Sequence, residues 1–348
     1  MRNILRGGLK MKVTIYDVAE KAGVSIATVS KVLNNTGSMR ETTRKRVLSI
    51  MEEMNYYPSM MASALTGKST KTIGLLVPDI SNPFFSEMAR TIEDRAHESG
   101  MSVIMCSTDE NIEKEKKYLS LLQQKQVDGF IIASTFKDTE LLKALIARKT
   151  PVIFLTMDDS SFDVSKVTVD DFQGGFEATN KLLELGHKNV AILAEHAHSS
   201  RMRIYGYREA HESIDLPIHE ENITRTVATI ENGKKYFDHF YDRKDLERPS
   251  AIFACNDLLA IGLIHRAKER DLSVPEDMSI IGFDDTILAT ISVPGLTTVA
   301  QPIAEMSNKC VDMLIQEIHD GKTLNERHLF NPELIMRGTT LEYKEGLK

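Results

Sequence analysis

The 348-residue chain has no tryptophan, and no apolar run in it is long enough to cross a membrane. Its first residues are basic but lack the apolar core and small-residue cleavage site of a secretory signal. The three cysteines, Cys106, Cys255 and Cys310, lie far apart without a CxxC pair. That speaks against disulfides and cysteine metal sites, and for buried reduced thiols in a cytoplasmic setting. Catalytic signatures are missing too: no GxGxxG, HExxH or GxSxG occurs, and His211-Glu212 lacks the second histidine of a zinc helix. His196 and His198 alternate in a loop-like segment and are expected to be solvated. Gly67-Lys68-Ser69 resembles the end of a phosphate loop, but the required first glycine is Ala62 and a strand follows it. The expectation is a protein that is not an enzyme and holds no cofactor or metal.

Charge is present but divided. Residues 1–71 hold 12 Lys and Arg against 5 Asp and Glu, a net +7, while the rest holds 31 against 45, a net −14. A basic head is drawn to phosphates and releases their counterions, and an acidic body is repelled. The head reads TIYDVAEKAGVSIATVSKVLNN from Thr14 to Asn35. Thr14 and Asp17 form a capping box before Val18, Ala19 and Ala22. Gly23 supplies the positive φ that ends this helix. Ser25 caps a second helix whose inner face is Val29, Val32 and Leu33. Two short amphipathic helices joined by a glycine turn make a helix-turn-helix, whose second helix enters the major groove by its N-terminal end. Ile26 and Ala27 are then placed to read base edges, and Thr28 and Ser30 to bond phosphates. Lys31 is placed for a guanine or a phosphate, with help from Thr14 or Tyr16. A third helix is expected from Thr42 to Tyr56, with Val47, Ile50, Met51 and Met54 on one stripe.

From Ile73 onward short apolar runs alternate with helix-sized segments. The strand-like runs are 73–78, 102–106, 129–133, 152–156, 190–194, 251–255 and 279–283. Such alternation predicts parallel sheets covered on both faces, and the length suffices for two lobes.

The head is similar to that of the lactose-repressor (LacI) family of bacterial transcription regulators. The resemblance rests on Thr14, Tyr16-Asp17-Val18-Ala19, Ala22-Gly23-Val24-Ser25, Thr28-Val29-Ser30 and Asn34. It continues in Val127-Asp128-Gly129, Gly186-His187, Asn256-Asp257, Gly282-Phe283-Asp284-Asp285 and Leu296-Thr297-Thr298, spanning about residues 14 to 340. It implies an all-α helix-turn-helix headpiece and an α/β two-lobed core like that of periplasmic binding proteins. Three crossovers are expected near Thr156–Asp159, Asp284–Ile287 and Thr298–Gln301. The expected organisation is a leader or an upstream start-site choice over 1–11, with Met1 or Met11 as the natural start, a headpiece over 12–57, a hinge helix and linker over 58–72, a core over 73–340 and a polar tail over 341–348. In the family the hinge helix folds in the minor groove, where Leu65 would wedge a base step and Ala62 would pack hinge to hinge. Arg40 stands where the family has a serine, and Met60 and Ser63 where relatives carry basic residues. The tail has no heptads, so a homodimer on a near-palindromic DNA operator is expected rather than a tail-built tetramer.

Ligands of open α/β sheets bind beyond the carboxyl ends of the strands. There stand Asp79, Phe84 and Phe85, with Ser81 or Asn82 as the cap of the following helix, and also Asn256 and Asp284. Asp257 is expected to cap the next helix. The resemblance adds Arg203, three residues before Gly206-Tyr207, as an effector-binding arginine. No aromatic occurs in Val227–Gly233, so a two-sided ring clamp is not expected. The effector expected is a sugar, sugar phosphate or other small metabolite. The alternatives are a regulator answering to a protein co-regulator, or a sugar-binding protein without regulatory role.

Overall fold

Thr14 and Asp17 start the first helix as their spacing predicts. In the computed structural model, which describes residues 13–33, 36–56, 69–243 and 248–343, the Thr14 N–H donates to Asp17 Oδ2 at 2.7 Å and the Asp17 N–H to Thr14 Oγ1 at 3.4 Å. Helix α1 (Ile15–Ala22) ends on Gly23 at φ 63°. Ser25 Oγ accepts the Thr28 N–H at 3.2 Å and opens α2 (Ile26–Leu33). Helix α3 (Glu41–Glu53) starts at Arg40, whose side chain makes no cap bond. It stops three residues short of the expected Tyr56 because Asn55 turns left-handed, at φ 48°. Val18, Ala19, Ala22, Val29, Val32, Val47 and Met51 close the core of this unit.

The chain divides between Thr70 and Lys71 into two units, of which the second contains both lobes. The first lobe is a sheet of β1 (Thr72–Val77), β2 (Ser102–Ser107), β3 (Gly129–Ile132), β4 (Val152–Leu155), β5 (Ser165–Val169) and β11 (Arg327–Phe330). Its order is β11-β5-β4-β3-β1-β2, parallel throughout. Helices α4 (Pro83–Glu98), α5 (Ile112–Gln124), α6 (Thr139–Ile146) and α12 (Ile303–Asp320) cover it. The second lobe has β6 (Val190–Ala194), β7 (Ile223–Arg225), β8 (Ala251–Ala254), β9 (Ser279–Asp284), β10 (Thr297–Ala300) and β12 (Glu333–Ile335). Its order is β12-β10-β9-β8-β6-β7, parallel except for the antiparallel β10–β12 pair. Around it lie α7 (Asp171–Glu184), α8 (His198–Glu212), α9 (Ile230–Tyr241), α10 (Asp257–Glu269) and α11 (Ile287–Ile291). Central strands such as β1, β3 and β8 are buried at every position, which is why they read as unbroken apolar runs.

Two of the three expected crossovers are corrected. Thr156–Asp159 leads from β4 to β5 within one sheet, where the Thr156 N–H donates to the Val167 carbonyl at 2.9 Å. Asp284–Ile287 leads through α11 to β10 within the other sheet. The chain changes lobe after Val169, between Ala300 and Ile303, and between Phe330 and Glu333. Thr298–Gln301 overlaps the second of these. The first error follows from β5: its sequence SKVTV carries too little apolar signal to be seen, yet it is wholly buried between β4 and β11.

Candidate functional site

The outer surface of the head is laid out by the turn. Because Val29 and Val32 face inward, the residues beside them on α2 face out: Ser25, Ala27 and Lys31 are exposed, Ile26 is 40% exposed, and Thr28 and Ser30 are half-buried. An isoleucine left that open at a helix tip keeps a large part of its apolar surface in water. Thr28 Oγ1 lies 2.9 Å from Ser25 Oγ, which holds both hydroxyls at the N-terminus of α2. On α1, Tyr16 is 67% exposed, and Thr14 is exposed beside it. Ala62 and Leu65, expected in the minor groove, and Asn34, part of the family resemblance, lie outside the described residues, as does most of the expected hinge.

Between the two lobes lies a cavity of about 580 Å³ at the carboxyl ends of both sets of strands. The expected effector residues Asp79, Phe84, Phe85, Arg203, Asn256 and Asp284 all border it. Asn82, not Ser81, caps α4, its Oδ1 accepting the Phe84 N–H at 3.1 Å. Phe84 and Phe85 meet edge to face, with centroids 5.1 Å apart, and Phe84 also belongs to the core of the first lobe. His196 and His198, expected in solvent, border the cavity as well; His196 is exposed and His198 starts α8 half-buried.

Arg203 sits at the centre of a buried charge cluster. Its Nε and Nη2 both donate to Asp171 Oδ1 at 2.8 Å, Nη1 donates to the Cys255 carbonyl, and the guanidinium lies 3.5 Å from the Phe283 ring centroid. The fork expected to meet a ligand is thus largely turned onto the protein. Asp284 takes a 2.7 Å hydrogen bond from Gln301 Nε2 in an unusual backbone conformation, φ 114°. Glu195 accepts from Ser200 Oγ at 3.2 Å. Burial pushes up the carboxyls of Asp171, Glu195 and Asp284, and Arg203 opposes the rise in each. Burial disfavours the charge on Arg203 itself, but Asp171, Asp284 and Glu195 outweigh it and hold its pKa above the ordinary value.

The cap of α10 is Asn256, whose Oδ1 accepts the Leu259 N–H at 2.8 Å, rather than the expected Asp257. Asp257 instead accepts from the Thr286 N–H at 2.8 Å, from Thr286 Oγ1 at 2.9 Å and from Thr298 Oγ1 at 2.8 Å, tying α10 to β10 and to the start of α11. Burial, opposed by these donors, pushes its carboxyl from 3.8 up to about 6. Between those values the folded chain holds a proton that the unfolded chain has released, so this group makes stability fall as pH rises. The loss should be about 3 kcal/mol, complete above about pH 6. Urea unfolding at about pH 4 and about pH 7 should show Asp257→Asn lacking that part of the decline. An identical decline in both proteins would rule the account out.

Asp171, Glu195 and Gln301 were not anticipated. Asp171 and Gln301 follow β5 and β10, which the sequence does not display as apolar runs. Glu195 does follow a recognised strand, β6, and the strand-end rule would have found it.

Residues 14–59 match the family described as bacterial regulatory proteins, lacI family, and residues 179–340 match the periplasmic binding protein-like domain. Over 95% of its length the chain is 43% identical to the HTH-type transcriptional regulator DegA of Bacillus subtilis (strain 168), covering 98% of that protein. The Lac repressor dimer bound to operator and the anti-inducer ONPF superimposes with a TM-score of 0.82 at 28% identity, covering 94% of this chain and 99% of that one. A LacI family transcriptional regulator from Enterococcus faecium with bound ribose gives 0.72 at 33% identity, covering 78% and 100%.

Proposed function

The chain belongs to the lacI family of bacterial regulatory proteins and is a transcription regulator, and from that premise we propose that it binds a near-palindromic operator as a homodimer under the control of a small metabolite. The headpiece over 12–57 contacts DNA. Ile26 and Ala27 read base edges by apolar contact, and Thr28, Ser30, Thr14 and Tyr16 hold the phosphates. Lys31 reaches a guanine or a phosphate, and Ser25 and Asn34 help to fix the register. The segment 58–72 acts as the hinge, with Leu65 and Ala62 in the minor groove. The core over 73–340 takes the effector among Asp79, Phe84, Phe85, Arg203, Asn256 and Asp284. Ligand closes the lobes and changes operator affinity; a coupling of about 1–3 kcal/mol gives a roughly 5- to 150-fold change.

The observation that carries this reading is the pair of features on one chain: an exposed apolar tip on the second helix of a helix-turn-helix, and a cavity between two lobes lined by both apolar and charged side chains. The test is selection of a duplex from genomic fragments by the purified chain, followed by Ile26→Ala. Ile26 contributes little to the headpiece core, so its truncation should leave folding intact. The preference for the selected duplex over random duplex should fall by about 1–3 kcal/mol, with the salt dependence of non-specific binding unchanged. Undiminished preference would remove α2 from the reading role. Absence of any preferred duplex, with or without metabolites, would end the proposal.

A further inference from the structure

The two lobes are held together by more than their crossovers. Glu87, half-buried on α4 of the first lobe, accepts the Ile287 N–H at the start of α11 in the second lobe, at 3.1 Å. The cause lies in how α11 begins. The first N–H groups of a helix have no partner within it, and the side chain of the residue before the helix commonly supplies one. Here that residue is Thr286, whose hydroxyl donates to Asp257 and makes no cap bond. The Ile287 N–H is therefore left to an outside acceptor, and the other lobe provides it. Arg90, one turn on in α4, pairs with Glu93 and Asp94 and leaves the Glu87 carboxylate to the second lobe.

This bond lies beside the cavity without bordering it. Neither Glu87 nor Ile287 lines the cavity, yet Phe84 and Phe85 stand less than a turn before Glu87 on α4, and Asp284 ends β9 just before α11. The bond thus fastens one wall of the cavity to the other from outside. Across the same cavity the lobes also repel: Glu110 of the first adds to the upward push on the Glu195 carboxyl of the second. A bond between the lobes opposes that repulsion.

We propose that Glu87 is an interlobe latch, a positioning residue that holds the two lobes together around the cavity. This role rests on the reading that ligand closes the lobes. A ligand that binds the closed arrangement gains apparent affinity in proportion to the fraction of chains already closed. The latch therefore sets how little effector suffices, without touching it. A hydrogen bond to a charged acceptor is among the stronger ones, and exposure weakens it, so a shift of about threefold to tenfold in the closed-to-open ratio is expected.

The test is a distance measurement on the intact chain, without effector or DNA. Spin labels at Lys137→Cys and Val227→Cys, exposed residues that border the cavity from the first and second lobe, report the gap between the lobes. The native cysteines Cys106, Cys255 and Cys310 are buried, which directs the label to the introduced ones. Dilution with unlabelled chain confines each measured pair to one copy. Double electron–electron resonance should give one dominant distance in the labelled parent. In Glu87→Met the ratio of that population to longer distances should fall at least about threefold. Glu87→Gln, which keeps an acceptor oxygen, should lie between the two. It carries the test alone if circular dichroism shows that Glu87→Met does not fold. A parent without a dominant distance overturns the latch, as does an unchanged distribution in Glu87→Met, or in Glu87→Gln where it stands alone. Glu87→Gln opening as far as Glu87→Met overturns it as well. No metabolite enters the measurement, so the effector reading is judged separately. It falls only if no metabolite alters core stability or operator affinity.

Discussion

Replacing Arg203 with methionine is expected to lower the stability of the core by about 3–5 kcal/mol, the cost of removing one partner from a buried ion pair. The guanidinium is the cation that Asp171 contacts directly, and Asp284 and Glu195 also feel its charge. It further satisfies the Cys255 carbonyl and covers the face of Phe283. Methionine keeps most of the bulk and none of the donors, so the loss is electrostatic more than steric. Lysine should recover only part, because a single ammonium cannot hold Asp171 in two bonds and also reach Cys255. Denaturant unfolding of the three proteins would measure this. A loss below about 1 kcal/mol for the methionine variant would mean that the carboxyls are protonated and need no counter-ion. The family resemblance casts Arg203 as an effector-binding residue. The structure adds that a silent variant must first be shown to be folded.

That shift of emphasis marks where the sequence stops being legible. The headpiece is readable because its determinants are local: the Thr14–Asp17 box, the Gly23 turn and the Ser25 cap each act within a few residues. The central strands are readable because burial on both faces demands unbroken apolar runs. The lobe boundaries are not, because which sheet a strand joins is decided by contacts far along the chain. β11 follows α12 by a short loop and pairs with β5 at the edge of the first lobe, while β12, only a few residues later, joins the second. Half-buried acids are hard to read for a related reason. Asp171 and Glu195 look in sequence like the many surface carboxylates of this acidic body, and only the fold brings Arg203 against Asp171.

What brings them together is a close crossing of two helices, and disturbing it should have the second large effect. A Cβ on Gly206 of α8 would stand 2.1 Å from the Phe172 carbonyl oxygen of α7, and one on Gly175 of α7 would stand 2.3 Å from the Arg203 carbonyl oxygen. Both obstacles are backbone, so no side chain can swing aside, and the helices must part. Arg203 lies about one turn before Gly206 and Asp171 lies at the start of α7, so parting draws the guanidinium off its carboxylate. Gly206→Ala should therefore cost about 3 kcal/mol, even after the ~1 kcal/mol that alanine gains over glycine in a helix. Gly129→Ala is the internal comparison. There the nearest atom, Leu314 Cδ1 at 2.8 Å, ends a flexible side chain, and the cost should be smaller. The double variant Gly175→Ala, Gly206→Ala should cost less than the sum of its parts, since once the helices have separated the second methyl finds room. If Gly206→Ala unfolds at the same denaturant concentration as Gly129→Ala, the crossing is not what holds Arg203 against Asp171. Additive losses in the double variant would lead to the same conclusion.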